Sequence, residues 1–111
     1  ADLEGQDFSQ FWVPSCPHCG TGLIKPDVVF FGETVPRDRV RICMDAVASA
    51  DAVLIAGSSL MVYSGYRFVL AAHEQGKSIV AINRGVTRAD ALLDFKVEAD
   101  VGQTLMALAA Y

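Results

Sequence analysis

The apolar positions of this chain fall into two rhythms. From Arg37 to Ala50, the residues Val40, Cys43, Met44 and Val47 recur at the spacing of a helix face, and Pro36 suits a first turn. That spacing predicts a helix with Cys43 as a small buried hydrophobe. Asp51 to Gly57 is a near-continuous apolar run, the pattern of a parallel strand buried on both faces. A second helix is expected from about Ser64 to Gln75, with Ser64 as N-cap and Gly76 as the C′ residue. Ser78 to Ile82 reads as another buried strand, ending at Asn83. Thr87-Arg88-Ala89-Asp90 resembles a capping box with Asp in place of Glu and opens a short helix. Lys96 to Asp100 predicts a third strand, and Gly102 to Ala110 a closing amphipathic helix with Leu105 and Leu108 inward.

Ahead of these elements the chain is polar and then aromatic (Phe8, Phe11, Trp12), followed by Pro14, a Cys-x-x-Cys turn and an extended apolar segment after Pro26. Apolar strands alternating with helices imply an α/β fold with a parallel sheet and right-handed crossovers. Ligands in such sheets bind beyond the carboxyl ends of the strands. That rule points to three turns: Gly57-Ser58-Ser59, Asn83-Arg84-Gly85 and Asp100-Val101-Gly102.

At 111 residues the chain is one domain at most, and with 52% hydrophobic and 20% charged residues it is ordinary and globular. A net charge of −4 argues against nucleic acid as a partner. No apolar run reaches the roughly 20 residues that span a bilayer, so no membrane association is expected. Ala1-Asp2-Leu3-Glu4 carries neither an initiator Met nor a signal peptide and reads as a chain entered mid-sequence. Three cysteines are too few for a secreted disulfide scaffold, and a reducing compartment fits best.

Gly57-Ser58-Ser59 offers a turn without a Cβ, two hydroxyls and exposed N–H groups, which suit phosphate and ribose oxygens. An ordinary strand-to-helix turn with capping serines would look the same. Asn83 has two readings as well, a ribose-hydroxyl partner or an Asn that tolerates a turn. No Gly-x-Gly-x-x-Gly fingerprint is present. Cys16-Pro17-His18-Cys19-Gly20 suits half of a zinc knuckle. A thioredoxin-like redox site would need a helix next, which Gly20-Thr21-Gly22 and Pro26 oppose. His18 and His73 read as surface residues, and Phe30-Phe31 as core packing by default.

Four motifs together resemble the sirtuin family: Cys-Pro-His-Cys-Gly (16–20), Lys-Pro-Asp-Val-Val-Phe-Phe-Gly-Glu (25–33), Gly-Ser-Ser-Leu-Met-Val-Tyr (57–63) and Ile-Asn-Arg-Gly (82–85). The likeness covers about residues 14–110, and the stretch from Tyr63 to Phe68 resembles the class II, sirtuin-four-like branch. It implies the C-terminal half of an NAD-dependent protein lysine deacylase. The fold implied is part of a Rossmann-like three-layer parallel sheet, with half of a zinc-binding module at the N-terminus. Residues 1–32 would form the partial zinc module and substrate segment, and 33–111 the NAD-binding half domain.

By the same resemblance, Cys16 and Cys19 are the second pair of a four-cysteine zinc site. Val29, Phe31, Gly32 and Glu33 face an acyl-lysine protein or peptide, as do Met61, Val62 and Tyr63. Gly57, Ser58 and Ser59 hold NAD phosphate and ribose oxygens; Asn83, Arg84 and Gly85 face the adenosine ribose, and Val101 closes over the adenine. In the family the acyl oxygen attacks the nicotinamide ribose carbon, and a histidine from a His-Gly pair then deprotonates a ribose hydroxyl. No His-Gly pair occurs in this chain, so no catalytic residue is assigned and the chain by itself is expected to be inactive. The implied setting is cytoplasmic for a bacterial source, with a mitochondrial one open by resemblance. Self-association is expected through the sheet edge at Asp51–Gly57. The rival readings are a non-catalytic NAD or ADP-ribose-binding module and a CPHC thiol oxidoreductase.

Overall fold

The computed structural model describes Gly5 and residues 7–111. The reading of the chain start at Ala1–Glu4 therefore lies outside the described residues. In place of a single domain, the chain divides into two compact units, Ala1–Thr34 and Val35–Tyr111.

The second unit runs α1 (Arg37–Ser49), β1 (Ala52–Ala56), α2 (Tyr63–Glu74), β2 (Ser78–Ile82), a 3₁₀ turn (Asp90–Leu92), β3 (Phe95–Val97) and α3 (Val101–Ala109). The strands form one parallel sheet in the order β1-β2-β3. Ala56, Ile82 and Val97 stand side by side in its register, so all three strands end at the same edge. This is the α/β, Rossmann-like arrangement that the alternation of apolar runs predicts.

Strand periodicity sends Val53, Ile55, Ile79 and Ala81 to one face, where they pack with Val47, Val69, Ala72 and Ala89 from the helices and the β2–β3 connection. Ile79 and Ile82 are the largest fully buried side chains. The opposite face carries the registered row Leu54, Val80 and Phe95, of which Leu54 and Phe95 are exposed. The expectation that β1 is buried on both faces is thus corrected: helices α1 and α2 cover one side only. The same one-sided cover corrects two further expectations. Cys43 is exposed, because α1 turns Val40, Met44 and Val47 inward. Leu105 and Leu108 are exposed as well, α3 being partly buried at Val101 and Thr104 instead.

Helix ends follow local chemistry. Ser64 is not the N-cap of α2, since Tyr63 is already helical and the Val62 carbonyl accepts the N–H groups of Gly65 and Tyr66 at 3.2 Å each. Gly76 closes α2 as expected, donating to the His73 carbonyl at 2.9 Å while Lys77 N–H reaches the Ala72 carbonyl at 3.0 Å, a Schellman pair. Asp100 caps α3, its Oδ1 accepting from Gln103 N–H at 3.0 Å.

The first unit has little regular structure, with one antiparallel bridge, Ser15 to Leu23, among the described residues. No helix of the described residues is long and apolar enough to cross a membrane.

Candidate functional site

In the second unit the three turns named from the sequence emerge together from the carboxyl edge of the sheet. Gly57 follows β1 and donates its N–H to the Ile82 carbonyl at 2.9 Å; Asn83 follows β2 and donates to the Val97 carbonyl at 3.1 Å. The first two turns are thereby stitched to the end of the next strand. Gly57 sits at φ +64°, and a Cβ there would stand 3.4 Å from Val101 Cγ2, so the first and third turns are close neighbours. Only a residue without a side chain takes this backbone shape at little cost.

Asn83 is buried, and its side-chain amide donates to the carbonyls of Arg84 (2.9 Å) and Gly85 (3.4 Å). The amide N–H groups therefore help to hold the turn that Asn83 opens. Arg84 lies exposed, 4.0 Å from Asp100 across the edge. Lys96 Nζ holds the Gly85 carbonyl at 2.8 Å and the Asp90 carboxylate at 3.1 Å. Asp90 also accepts from the hydroxyl and N–H of Thr87, and the hydroxyl bond is the first cause holding its carboxyl below the usual range. Only half of the expected capping box forms, Asp90 accepting the Thr87 N–H, and the single 3₁₀ turn that follows has Ala89 at its N-cap with no side-chain cap bond.

Ser58, Ser59, Leu60, Met61 and Val62, with Ser64 and Gly65, line an open cavity of about 270 Å³ beside the first turn. Met61, Val62 and Tyr63 are all exposed there. Sequence reasoning passed over two residues of this loop system. Leu60 adopts φ +56°, and Arg88 reaches the loop from the β2–β3 connection. Neither has a local signal, since the partners of Arg88 lie more than 20 residues away.

In the first unit, Lys25 Nζ donates to both carboxylate oxygens of Glu33, at 2.9 and 2.8 Å, and to the Val28 carbonyl at 2.9 Å. Glu33 in turn accepts the Phe30 N–H at 3.1 Å and donates its own N–H to the Phe30 carbonyl at 3.0 Å. Gly32, at φ +88°, occupies the position of this turn that asks for a positive φ. The clamp leaves Phe31 at its tip, 96% exposed, and Val29 on its flank. The default of Phe30 and Phe31 as core packing is therefore corrected. Lys25, which the sequence reading assigned no role, is the cation that closes the loop, and its bonds are the first cause of a Glu33 carboxyl held below its ordinary value.

Cys16 and Cys19 flank a tight turn. Gly20 N–H reaches the Cys16 carbonyl at 2.8 Å, Cys16 N–H the Gly22 carbonyl at 2.6 Å, and Gly22 N–H the Cys19 sulfur at 3.2 Å. The N–H groups of Thr21 and then Gly22 draw the Cys19 thiol down to about 7. No helix follows the turn, contrary to the needs of a thioredoxin-like site. His18 and His73 are exposed, as expected.

A parallel sheet whose strand ends share one edge of polar, glycine-bearing turns defines the second unit as a Rossmann-like α/β half domain. Residues 4–64 match the Sir2 family model, and the chain belongs to that family. It is 64% identical over 105 residues to the NAD-dependent protein deacetylase of Bordetella pertussis, covering 95% of this chain and 38% of that protein. To the mitochondrial NAD-dependent protein lipoamidase sirtuin-4 of Bos taurus it is 48% identical over 103 residues, 93% of this chain and 32% of the relative, in keeping with the sirtuin-four-like resemblance. A solved structure of a Sir2 protein with a p53 peptide and NAD+ superimposes with a TM-score of 0.77 at 33% identity, over 88% of this chain and 40% of that one. The chain thus spans well under half the length of the relatives it matches.

Proposed function

We propose that this chain supplies the adenosine side of the NAD site and part of the acyl-lysine site of an NAD-dependent protein lysine deacylase. The reaction would remove acyl groups from lysine and release nicotinamide and O-acyl-ADP-ribose. One observation carries the proposal: in a Sir2-family chain, the turns after β1, β2 and β3 leave one sheet edge, the first two bonded to the next strand's end and the third, at Val101, lying against Gly57. The names of the relatives, NAD-dependent deacetylase and lipoamidase, support the reaction class.

When bound, NAD supplies the ribose carbon that accepts the acyl group. The N–H groups and hydroxyls of Gly57, Ser58 and Ser59 bind phosphate and ribose oxygens. Asn83 keeps the second turn in shape, so that Arg84 and Gly85 face the adenosine ribose, and Val101 packs beside Gly57 to close the adenine side. Met61 and Val62, with Tyr63 opening α2 beside them, face a peptide strand, the extended Val62 backbone being the part that can pair with it. Val29, Phe31, Gly32 and Glu33 belong to the substrate loop, with Phe31 presented to the acyl chain by the Lys25–Glu33 clamp.

Cys16 and Cys19 fit two corners of a zinc tetrahedron, because the knuckle aims N–H groups at a thiol that is readily ionised. Among the described residues no third or fourth His, Cys, Asp or Glu joins them. The zinc would be structural and is proposed as a half-site. A cytoplasmic setting is proposed for a bacterial source.

Backbone amide shifts during titration with ADP-ribose test the proposal. Shifts confined to residues 57–59, 83–85 and 101 are expected. Saturating ADP-ribose that leaves these amides unmoved would overturn it.

A further inference from the structure

We propose that Arg88 is a positioning residue that clamps the β1–α2 loop, fixing the nucleotide-facing serines and the peptide-facing backbone as one piece. The inference rests on the functional reading above for its consequence, and on loop geometry for its substance.

Among the described residues, Leu60 is the one non-glycine residue at positive φ, +56°. Such a conformation is costly for a branched side chain and persists where the surroundings over-determine it. Leu60 N–H bonds to Ser58 Oγ at 3.2 Å, which fixes the near side of the kink. Arg88 fixes both flanking carbonyls. Its backbone N–H donates to the Ser59 carbonyl at 2.9 Å, and its guanidinium donates to the Met61 carbonyl at 3.0 Å. The guanidinium also lies 4.4 Å from the centroid of the Tyr66 ring on the first turn of α2.

Arg88 is itself well anchored. Its neighbours Thr87 and Ala89 are buried at 3% and 0% exposure, with Thr87 tied to the Asp90 carboxylate. The clamp thus transfers the rigidity of the β2–β3 connection to a loop that would otherwise relax at Leu60. Ser58 and Ser59 lie on one side of the kink, and Met61, Val62 and Tyr63 on the other. A guanidinium suits the task because a planar group can stack on a ring while donating in its own plane, which an ammonium does poorly.

The test compares wild type with Arg88→Ala, Arg88→Lys and Tyr66→Leu by amide hydrogen exchange and by calorimetry with ADP-ribose. In Arg88→Ala, the amides of residues 60 and 88 should exchange on the order of tenfold faster, while those of Ile79 and Ala81 in β2 stay unchanged. ADP-ribose affinity should fall by roughly five- to tenfold, as expected for loss of a charge-assisted bond. Arg88→Lys should not restore either value, and Tyr66→Leu should give a smaller loss of the same kind. Unchanged exchange at Leu60 in a folded Arg88→Ala, or full rescue by lysine, would overturn the proposal. Should Arg88→Ala fail to fold, exchange at Leu60 in Arg88→Lys decides the matter, wild-type protection there overturning the clamp. Failure of wild type to bind ADP-ribose would sink the functional reading, with the exchange data still deciding the clamp.

Discussion

Glu33 and Asn83 are polar residues whose side chains are committed to the backbone around them. Glu33 accepts two bonds from Lys25 and one from Phe30 N–H, so its carboxyl ionises below the ordinary 4.5. A carboxyl depressed on folding contributes order above its unfolded value, and that contribution disappears as pH falls through the lower folded value. The Phe30 amide resonance should therefore titrate with a midpoint below 4.5, and a midpoint at or above it would contradict the clamp. Asn83 keeps the turn after β2 closed through the Arg84 and Gly85 carbonyls. If the Asn83 amide also meets the ribose hydroxyls as proposed for this site, Asn83→Ala should weaken ADP-ribose binding by about 1–3 kcal/mol in calorimetry, the usual penalty for leaving polar groups unpaired. Equal binding by both proteins would remove Asn83 from the site. That turns follow the strands at these positions was readable in the sequence, because Gly, Ser and Asn favour turns. The bonds from Asn83 to the Arg84 and Gly85 carbonyls were not legible, because residue type alone does not say which neighbour an amide meets.

Among the elements, β2 coincides with its expected span, Ser78–Ile82, because a short apolar run between Gly76 and Asn83 leaves little freedom. Its Ile79 is 1% exposed at the centre of the packed face. Ile79→Ala should lower unfolding stability by about 2–5 kcal/mol in urea titration, the range for truncating a fully buried aliphatic chain. A loss well under 1 kcal/mol would mean that this core is not the one that holds the unit. Burial was less legible than position. Apolar spacing located α1 and α3, yet Cys43, Leu105 and Leu108 face solvent, since a sequence shows which positions are apolar and not what lies across from them. The Arg88 clamp was illegible for a related reason: its partners are remote in sequence.

Across the molecule, β1 is an edge strand with Leu54 exposed beside it on the uncovered face. An apolar parallel edge of this kind invites pairing with another copy. This 111-residue chain is therefore expected to form dimers or soluble aggregates in light scattering, and a monodisperse monomer at high concentration would contradict that. The central claim, however, is that the carboxyl edge of the sheet binds the adenosine side of NAD. Titration calorimetry of the chain with NAD and with ADP-ribose tests it most directly. Weak, measurable and similar affinities for the two are predicted, since the residues proposed here touch only the part they share. Absence of heat from either ligand at millimolar concentration, or strong preference for NAD, would contradict the account.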